Sequence, residues 1–293
     1  MHHSVCFGEV LWDNFASGKK AGGAPMNVAL HLHKQGIDSK MISSVGKDTD
    51  GGELTGYLKD QGLDTSLISQ HASLPTGVVE VQLDADHQAK YDIVKPVAWD
   101  EIKYSEELEQ VVSQSDVLIF GSLASRSETS KTTLLKLLPA AKFKVFDMNL
   151  RPPHFEEELV IFLMRACDVL KINEVELDYL AQLFSFESGS REEQLKQLRK
   201  QISVPTICVT LGGEGAMVLH NDKLLKHQGV KVVPVDTVGA GDAFLATFIA
   251  SYLKGLSIEL TLERACAAGA LVASRPGANP EYSEEDILRI CNQ

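Results

Sequence analysis

Along most of this chain, short apolar runs alternate with longer runs whose apolar residues recur every three or four positions. The short runs read as buried strands and the long ones as helices that hide one face. Strand patterns fall at residues 5–10, 41–45, 117–120, 143–148, 169–172 and 206–210. Helix patterns fall at 25–35, 53–59, 131–138, 156–166, 175–184 and 192–201. Pro25 suits a first helical turn and Gly36 a stop. Residues 216–219 and 223–233 read as antiparallel strands, followed by helices at 241–254, 260–274 and 286–291. Repeated strand–helix units are satisfied by a mainly parallel central sheet with helices on both faces, so the expected class is α/β. Ligands of such sheets sit at the carboxyl ends of the strands.

Residues 77–83 and 89–94 break this rhythm. They are β-type runs joined by Asp84-Ala85-Asp86-His87-Gln88, which predicts a hairpin. A small β-sheet set over a cleft serves as a lid, and the lid segments are expected at about 12–22 and 75–98. No internal repeat, low-complexity tract or long linker sets lid apart from core, so residues 1–293 are expected to form a single domain.

Composition narrows the partners. A chain of 293 residues, 44% hydrophobic, can bury a full core. Its formal net charge of −12 argues against nucleic acid or an anionic membrane as partner, while leaving room for a local basic pocket. The longest apolar stretches are broken well short of a bilayer span. Met1-His2-His3-Ser4 leads straight into a strand pattern rather than a secretory signal. Five cysteines with no C-x-x-C pair read as reduced packing thiols, and a cytoplasmic location is expected. His31 and His33 are two apart, fall on different helix faces, and read as structural.

The chemistry concentrates in Asp236-Thr237-Val238-Gly239-Ala240-Gly241-Asp242-Ala243-Phe244. Two glycines flank a small residue, a carboxylate follows, and an apolar run continues at helical spacing. That pattern is a loop feeding a helix N-terminus, where unpaired N–H groups carry partial positive charge. Glycine lets a charged group approach them closely. Asp242 then stands beside any anion held there, a sensible place for a base that takes a proton from an attacking hydroxyl. An acid that merely complements the helix dipole is the alternative. The pattern is neither a Walker-type loop nor the dinucleotide fingerprint.

Polar clusters follow several strand patterns: Trp12-Asp13-Asn14, Asn149-Leu150-Arg151, Asn173-Glu174-Val175-Glu176 and Thr210-Leu211-Gly212-Gly213-Glu214-Gly215. Asn173 is a good helix N-cap and Glu176 would complete a capping box. Gly22-Gly23-Ala24-Pro25-Met26-Asn27 opens another helix. Taken in order, Gly22 to Ala29, Asn173 to Glu176, Thr210 to Gly212 and Asp236 to Phe244 resemble the signatures of the ribokinase-like, PfkB-family carbohydrate kinases, and within them the bacterial fructokinases.

That resemblance implies a ribokinase-like fold and a role for each matching position. Asp242 would be the catalytic base, and Gly239, Ala240 and Gly241 would supply the N–H groups that stabilise phosphoryl charge. Asp13, Gly23 and Asn27 would hold sugar hydroxyls. Thr210, Gly212 and Gly215 would line the ATP site, with Asn149 and Arg151 at the same cleft; for Arg151 a surface ion pair is the alternative. Asn173 and Glu176 would organise Mg²⁺ through water. Asp236 and the Val238 carbonyl match positions that bind a potassium-type ion in some relatives, and Ser274-Arg275-Pro276-Gly277-Ala278 would be the second loop of such a site, with the cationic Arg275 inside it as an argument against.

The segment from Asn14 to Ala21 is short and allows only a tight lid hairpin. Open lid edges invite pairing with another chain, so a homodimer through the lid is an expectation. The resemblance implies an ATP-dependent sugar kinase that transfers the γ-phosphoryl group to a primary hydroxyl, with fructose giving fructose 6-phosphate. Ribose, 2-keto-3-deoxygluconate and nucleosides are the alternative acceptors, and a catalytically silent sugar-binding regulator is the alternative of another class.

Overall fold

The computed structural model describes residues 1–15, 18–83 and 89–292. The expected turn at Asp84-Ala85-Asp86-His87-Gln88 lies outside them. In chain order the elements are β1 (His3–Phe7), β2 (Leu11–Phe15), β3 (Gly18–Gly22), α1 (Ala24–Lys34), β4 (Asp38–Gly46), α2 (Thr49–Asp60), β5 (Ile68–His71), β6 (Gly77–Leu83) and β7 (Ala89–Ile93). There follow α3 (Glu106–Gln114), β8 (Val117–Gly121), α4 (Glu128–Leu137), β9 (Lys144–Asp147), α5 (Glu157–Ala166), β10 (Val169–Asn173), α6 (Glu174–Leu183) and α7 (Arg191–Ile202). The last part comprises β11 (Thr206–Thr210), β12 (Ala216–His220), β13 (Lys223–His227), α8 (Ala240–Leu253), α9 (Ile258–Ala273) and α10 (Glu284–Cys291).

The large sheet runs β13-β12-β11-β10-β9-β8-β1-β4-β5. From β11 to β5 neighbouring strands are parallel, and β12 and β13 extend the β11 edge antiparallel. Strand periodicity sorts side chains between two cores. On β8, Leu118 and Phe120 join a core built with Val112, Leu134, Leu163, Leu180 and Leu198, from α3 to α7. Val117 and Ile119 join the opposite core with Leu30, Leu54, Phe248 and Leu262, from α1, α2, α8 and α9. Helix α8 is buried from Ala243 to Ser251, as its all-round apolar sequence requires. Among the described residues, no helix is long and apolar enough to cross a membrane.

A second sheet runs β3-β2-β6-β7. Strands β2 and β3 form the tight antiparallel hairpin expected from the short segment, and β6 pairs antiparallel with β7, Val79 facing Ile93 and Leu83 facing Ala89. The apolar run at 5–10 is not one strand: it turns at Gly8, whose φ is 148°, and the chain passes from β1 in one sheet to β2 in the other. The run at 223–233 ends as a strand at His227, because Gly229 takes a φ of 75° and Pro234 lacks a ladder donor.

The foot of β7 is tied to the core by a buried ion pair. Arg126 Nε lies 2.8 Å from Asp100 Oδ1, and its two terminal nitrogens donate to the carbonyls of Ile93 and Val94 at 3.3 and 2.6 Å. Its guanidinium also lies 4.0 Å from the Trp99 ring centre. Breaking such a pair strands a buried charge. Arg126→Ala is therefore expected to lower the unfolding free energy by about 3–5 kcal/mol in urea denaturation; a loss below about 1 kcal/mol would show that the pair does not hold this joint.

Candidate active site

Gly239 caps α8 with a left-handed φ of 80°. A β-carbon there would meet the Ala278 backbone at 2.6 Å, so only glycine lets the loop turn into the helix at this point. Asp242 follows in the first turn, half-buried. Asn27 on α1 donates its side-chain N–H to Asp242 Oδ2 at 2.8 Å, and Asn279 donates to Asn27 Oδ1 at 2.7 Å. The carboxylate is thus aimed by a relay of two amides. Asn27, grouped with sugar contacts on sequence grounds, here has its amide engaged with Asp242 and Asn279. Gly23 is the N-cap of α1, and a β-carbon on it would strike the Glu9 carbonyl at 2.4 Å.

Beneath this turn lies a row of buried charge. Lys171 on β10 shares its sheet face with Val169, on the α8 side, and stands directly opposite Asp147 on β9. Lys171 Nζ donates to Asp147 Oδ1 at 2.9 Å, with the two side chains 7% and 5% exposed. Burial alone would lower the Lys171 ammonium, but the carboxylates of Asp147, Glu176 and Asp242 outweigh it and hold it above the ordinary lysine value. Glu9, in the turn between β1 and β2, is also buried. Among the described residues, Glu9 Oε2 and Asp147 Oδ2 have no hydrogen-bond partner.

Burial sets the proton affinities. Asp242 is pushed up to about 6, first by desolvation and then by Asp147, against the pull of Lys171, the Asn27 amide and Arg151. Desolvation lifts Glu9 to about 7, with its own N–H and Arg151 opposing and Asp242 and Asp147 adding to the rise. Asp13 stands on β2 of the small sheet and is raised to about 6, again by desolvation, while Arg151 and Lys20 oppose. Arg151 therefore lies within the field of Glu9, Asp13 and Asp242.

A cleft of about 790 Å³ opens beside the α8 turn. Thr210, Gly212, Gly215, Asn173, Ala240 and Gly241 line it, and apolar residues such as Val230, Phe244 and Ala270 complete it. Asn149 and Arg151, placed with this group from sequence, do not line it. Asn149 adopts a φ of 37° just after β9. Asn173 and Glu176 form the capping box of α6: Asn173 Oδ1 accepts from the Glu176 N–H at 2.9 Å and Glu176 Oε2 from the Asn173 N–H at 2.8 Å. Glu176 Oε1 accepts from the Leu150 N–H at 2.7 Å, tying the loop after β9 to α6.

With both Glu176 oxygens engaged, a divalent ion fits here through its water shell rather than by direct ligation. Among the described residues there is no group of three or more His, Cys, Asp or Glu placed to hold a metal. Asp236 accepts from the Val238 and Gly277 N–H groups, both at 3.1 Å, and Lys20 Nζ stands 3.7 Å from its Oδ2. Arg275 donates to the Glu281 carbonyl.

Three residues of this site escape a motif reading: Glu9, Asp147 and Lys171. A weak signal exists in the sequence. Asp147 and Lys171 are charges at strand positions whose parity matches core residues Val145 and Val169. A charge buried at such a position must be paired, which marks it for attention.

An α/β sheet with a small second sheet thus carries a carboxylate at a glycine-capped helix start beside a cleft of about 790 Å³. Residues 3–285 match the pfkB family carbohydrate kinases, and the chain belongs to that family. It is a sugar kinase, a phosphotransferase with an alcohol acceptor. Fructokinase-1 of Oryza sativa subsp. japonica is 28% identical, the alignment covering 98% of this chain and 96% of that one. Fructokinase with bound ATP from Xylella fastidiosa superposes with a TM-score of 0.87 at 22% identity, covering 99% and 98% of the two chains. A fructokinase double mutant from Vibrio cholerae O395, in fructose, ADP and potassium ion bound form, gives 0.83 at 23% identity, covering 99% and 98%.

The raised carboxylates imply a pH-dependent stability. Because their folded proton affinities exceed the unfolded ones, the native state holds extra protons between about pH 4 and 7, and these groups cost stability as pH rises through that window. Glu9→Gln is expected to stabilise the unliganded protein by roughly 2–3 kcal/mol at pH 8 and by little at pH 4. Thermal unfolding at both values checks this; equal effects at the two would contradict it.

Proposed function

We propose that this chain is an ATP-dependent kinase that phosphorylates the primary 6-hydroxyl of fructose. The observation that carries the phosphotransfer reading is the Asn27–Asp242 hydrogen bond at 2.8 Å. It holds a carboxylate in place one residue after the Gly239–Gly241 turn, next to Gly241 in the cleft wall. The acceptor oxygen attacks the γ-phosphorus, the bond from that phosphorus to the β,γ-bridging oxygen breaks, and the acceptor proton passes to Asp242. The N–H groups of Gly239 and Gly241 receive the phosphoryl charge, joined by that of Ala240 once it leaves the Thr237 carbonyl, to which it donates at 3.3 Å. Thr210, Gly212 and Gly215 hold the nucleotide. Asp13 takes two sugar hydroxyls, Gly23 lies beside them, and Asn27 orients the base.

Arg151, from its place in the field of Asp13 and Asp242, steadies charge between acceptor and phosphoryl, with Asn149 shaping its loop. Asn173 and Glu176 position the water shell of Mg²⁺, which when bound neutralises phosphate charge. A potassium ion at Asp236 and the Val238 carbonyl requires Lys20 to swing aside. The small sheet, spanning roughly residues 12–22 and 75–98, closes over the sugar as part of one domain. The reading of fructose is supported by the fructokinase relative at 28% identity.

A homodimer through the small sheet fits its open β7 edge better than its β3 edge. There Lys19 already pairs with Asp50 at 2.6 Å and Lys20 faces Asp236, which blunts the strand. Sedimentation equilibrium tests it, and a monomer at high concentration would end it.

Phosphorylation of a sugar panel with product analysis tests the acceptor, and fructose 6-phosphate is the expected product. Ribose, 2-keto-3-deoxygluconate or a nucleoside as preferred acceptor would replace fructose. Sugar binding without ADP formation would replace catalysis by sensing. Asp242→Asn is expected to lower kcat by about 10²–10⁴-fold while ATP and sugar binding persist. In the wild type, kcat should fall as pH drops through about 6, where Asp242 protonates. An unchanged kcat in Asp242→Asn would remove the base assignment.

A further inference from the structure

We propose that Lys171 is the fixed internal cation of this site, a positioning residue that adds positive charge from beneath the glycine turn and keeps Asp242 ionised. The inference rests on the phosphotransfer reading above and extends it to a residue outside the signature motifs.

Three observations carry it. The first is access. A methyl group on Gly241 would come within 3.3 Å of Lys171 Nζ, and Gly241 itself lines the nucleotide cleft. Lys171 does not itself line the cleft, so its charge reaches that wall across the backbone of Gly241. A helix N-terminus offers only about half a positive charge, and Lys171 places a whole one directly behind it.

The second is cost. The Lys171–Asp147 pair lies at the carboxyl edge of two core strands, with Cys208 opposite Lys171 on β11. Apolar residues of similar volume in place of a buried pair are often neutral or stabilising. Packing alone does not call for a lysine here, and Asp147 Oδ2 is left without a partner, so the pair is not a closed unit.

The third is the balance of charge at Asp242. Asp147 from β9 pushes the Asp242 proton affinity up, and Glu176 from α6 stands in the field of the same lysine. Against them stand Lys171, Arg151 from the loop after β9, and the Asn27 amide from α1. Arg151 is exposed and its field is screened by solvent, whereas Lys171 is buried. Cys208 adds no charge, since desolvation holds its thiol well above the ordinary cysteine range. Among the described residues that lower the Asp242 proton affinity, Lys171 is the buried cation.

The test reads Asp242 directly, by carboxyl-carbon NMR titration of the unliganded protein, alongside the pH profile of kcat. Lys171→Met is expected to raise the Asp242 midpoint by about one pH unit or more. The acid limb of kcat should move by the same amount, with sugar KM nearly unchanged. Lys171→Arg should restore both. If Lys171→Met fails to fold because Asp147 is left unpaired, Asp147→Asn is compared with Asp147→Asn/Lys171→Met, and removing the lysine should again raise the midpoint. A midpoint that stays in place in a folded variant lacking the lysine overturns the proposal. The titration needs no substrate, so a shifted midpoint together with an empty sugar panel would support the role of Lys171 and fell only the kinase reading.

Discussion

The site depends on one electrostatic arrangement: Lys171 and Asp147 buried at 2.9 Å, side by side on adjacent parallel strands, under the first turn of α8. Parallel pairing puts the carboxyl ends of β9 and β10 at one edge, and strand periodicity turns both side chains toward α8. A helix start that gathers N–H groups would otherwise meet two buried acids and a half-buried one with little to hold them. The lysine lets Asp147, Glu176 and Asp242 stay close together. The capping box of α6 then fixes the neighbouring loop, because Glu176 reaches from its own helix to the Leu150 N–H.

Most of the scaffold is visible in the apolar pattern because burial and periodicity coincide there. Strand β11 (Thr206–Thr210) has the expected bounds, and α8 is read from its continuous apolar run. Failures have specific causes. Helix α3 is mostly polar, and Val112 is its one buried residue, so little of it marks a core-facing stripe. Strand β5 lies at the sheet edge, only partly buried, and its Ile-Ser-Gln-His lacks alternation. The run at 5–10 reads as one strand because Val10 and Leu11 are buried like Val5 and Phe7, although in different surroundings.

The site divides in the same way. Gly239, Gly241 and Asp242 are legible because their meaning is local: a loop, a helix start and an acid in four residues. Asn27 is recognisable as part of a motif, but its partner Asp242 lies 215 positions away, and no spacing rule links them. Glu9, Asp147 and Lys171 are ordinary letters in strand contexts. Only the register of β9 against β10, and the close approach of α8, turn them into a cluster.

The aspartate proposed to read the acceptor, Asp13, belongs to β2 of the small sheet, while the aspartate proposed to deprotonate it, Asp242, belongs to a helix packed on the large one. The two carboxylates therefore act together only when the sheets are drawn onto a molecule long enough to span them. A lone water satisfies the base and nothing else. On these proposed roles, futile splitting of the nucleotide would be restrained by architecture, because the machinery would be complete only in the company of its proper guest.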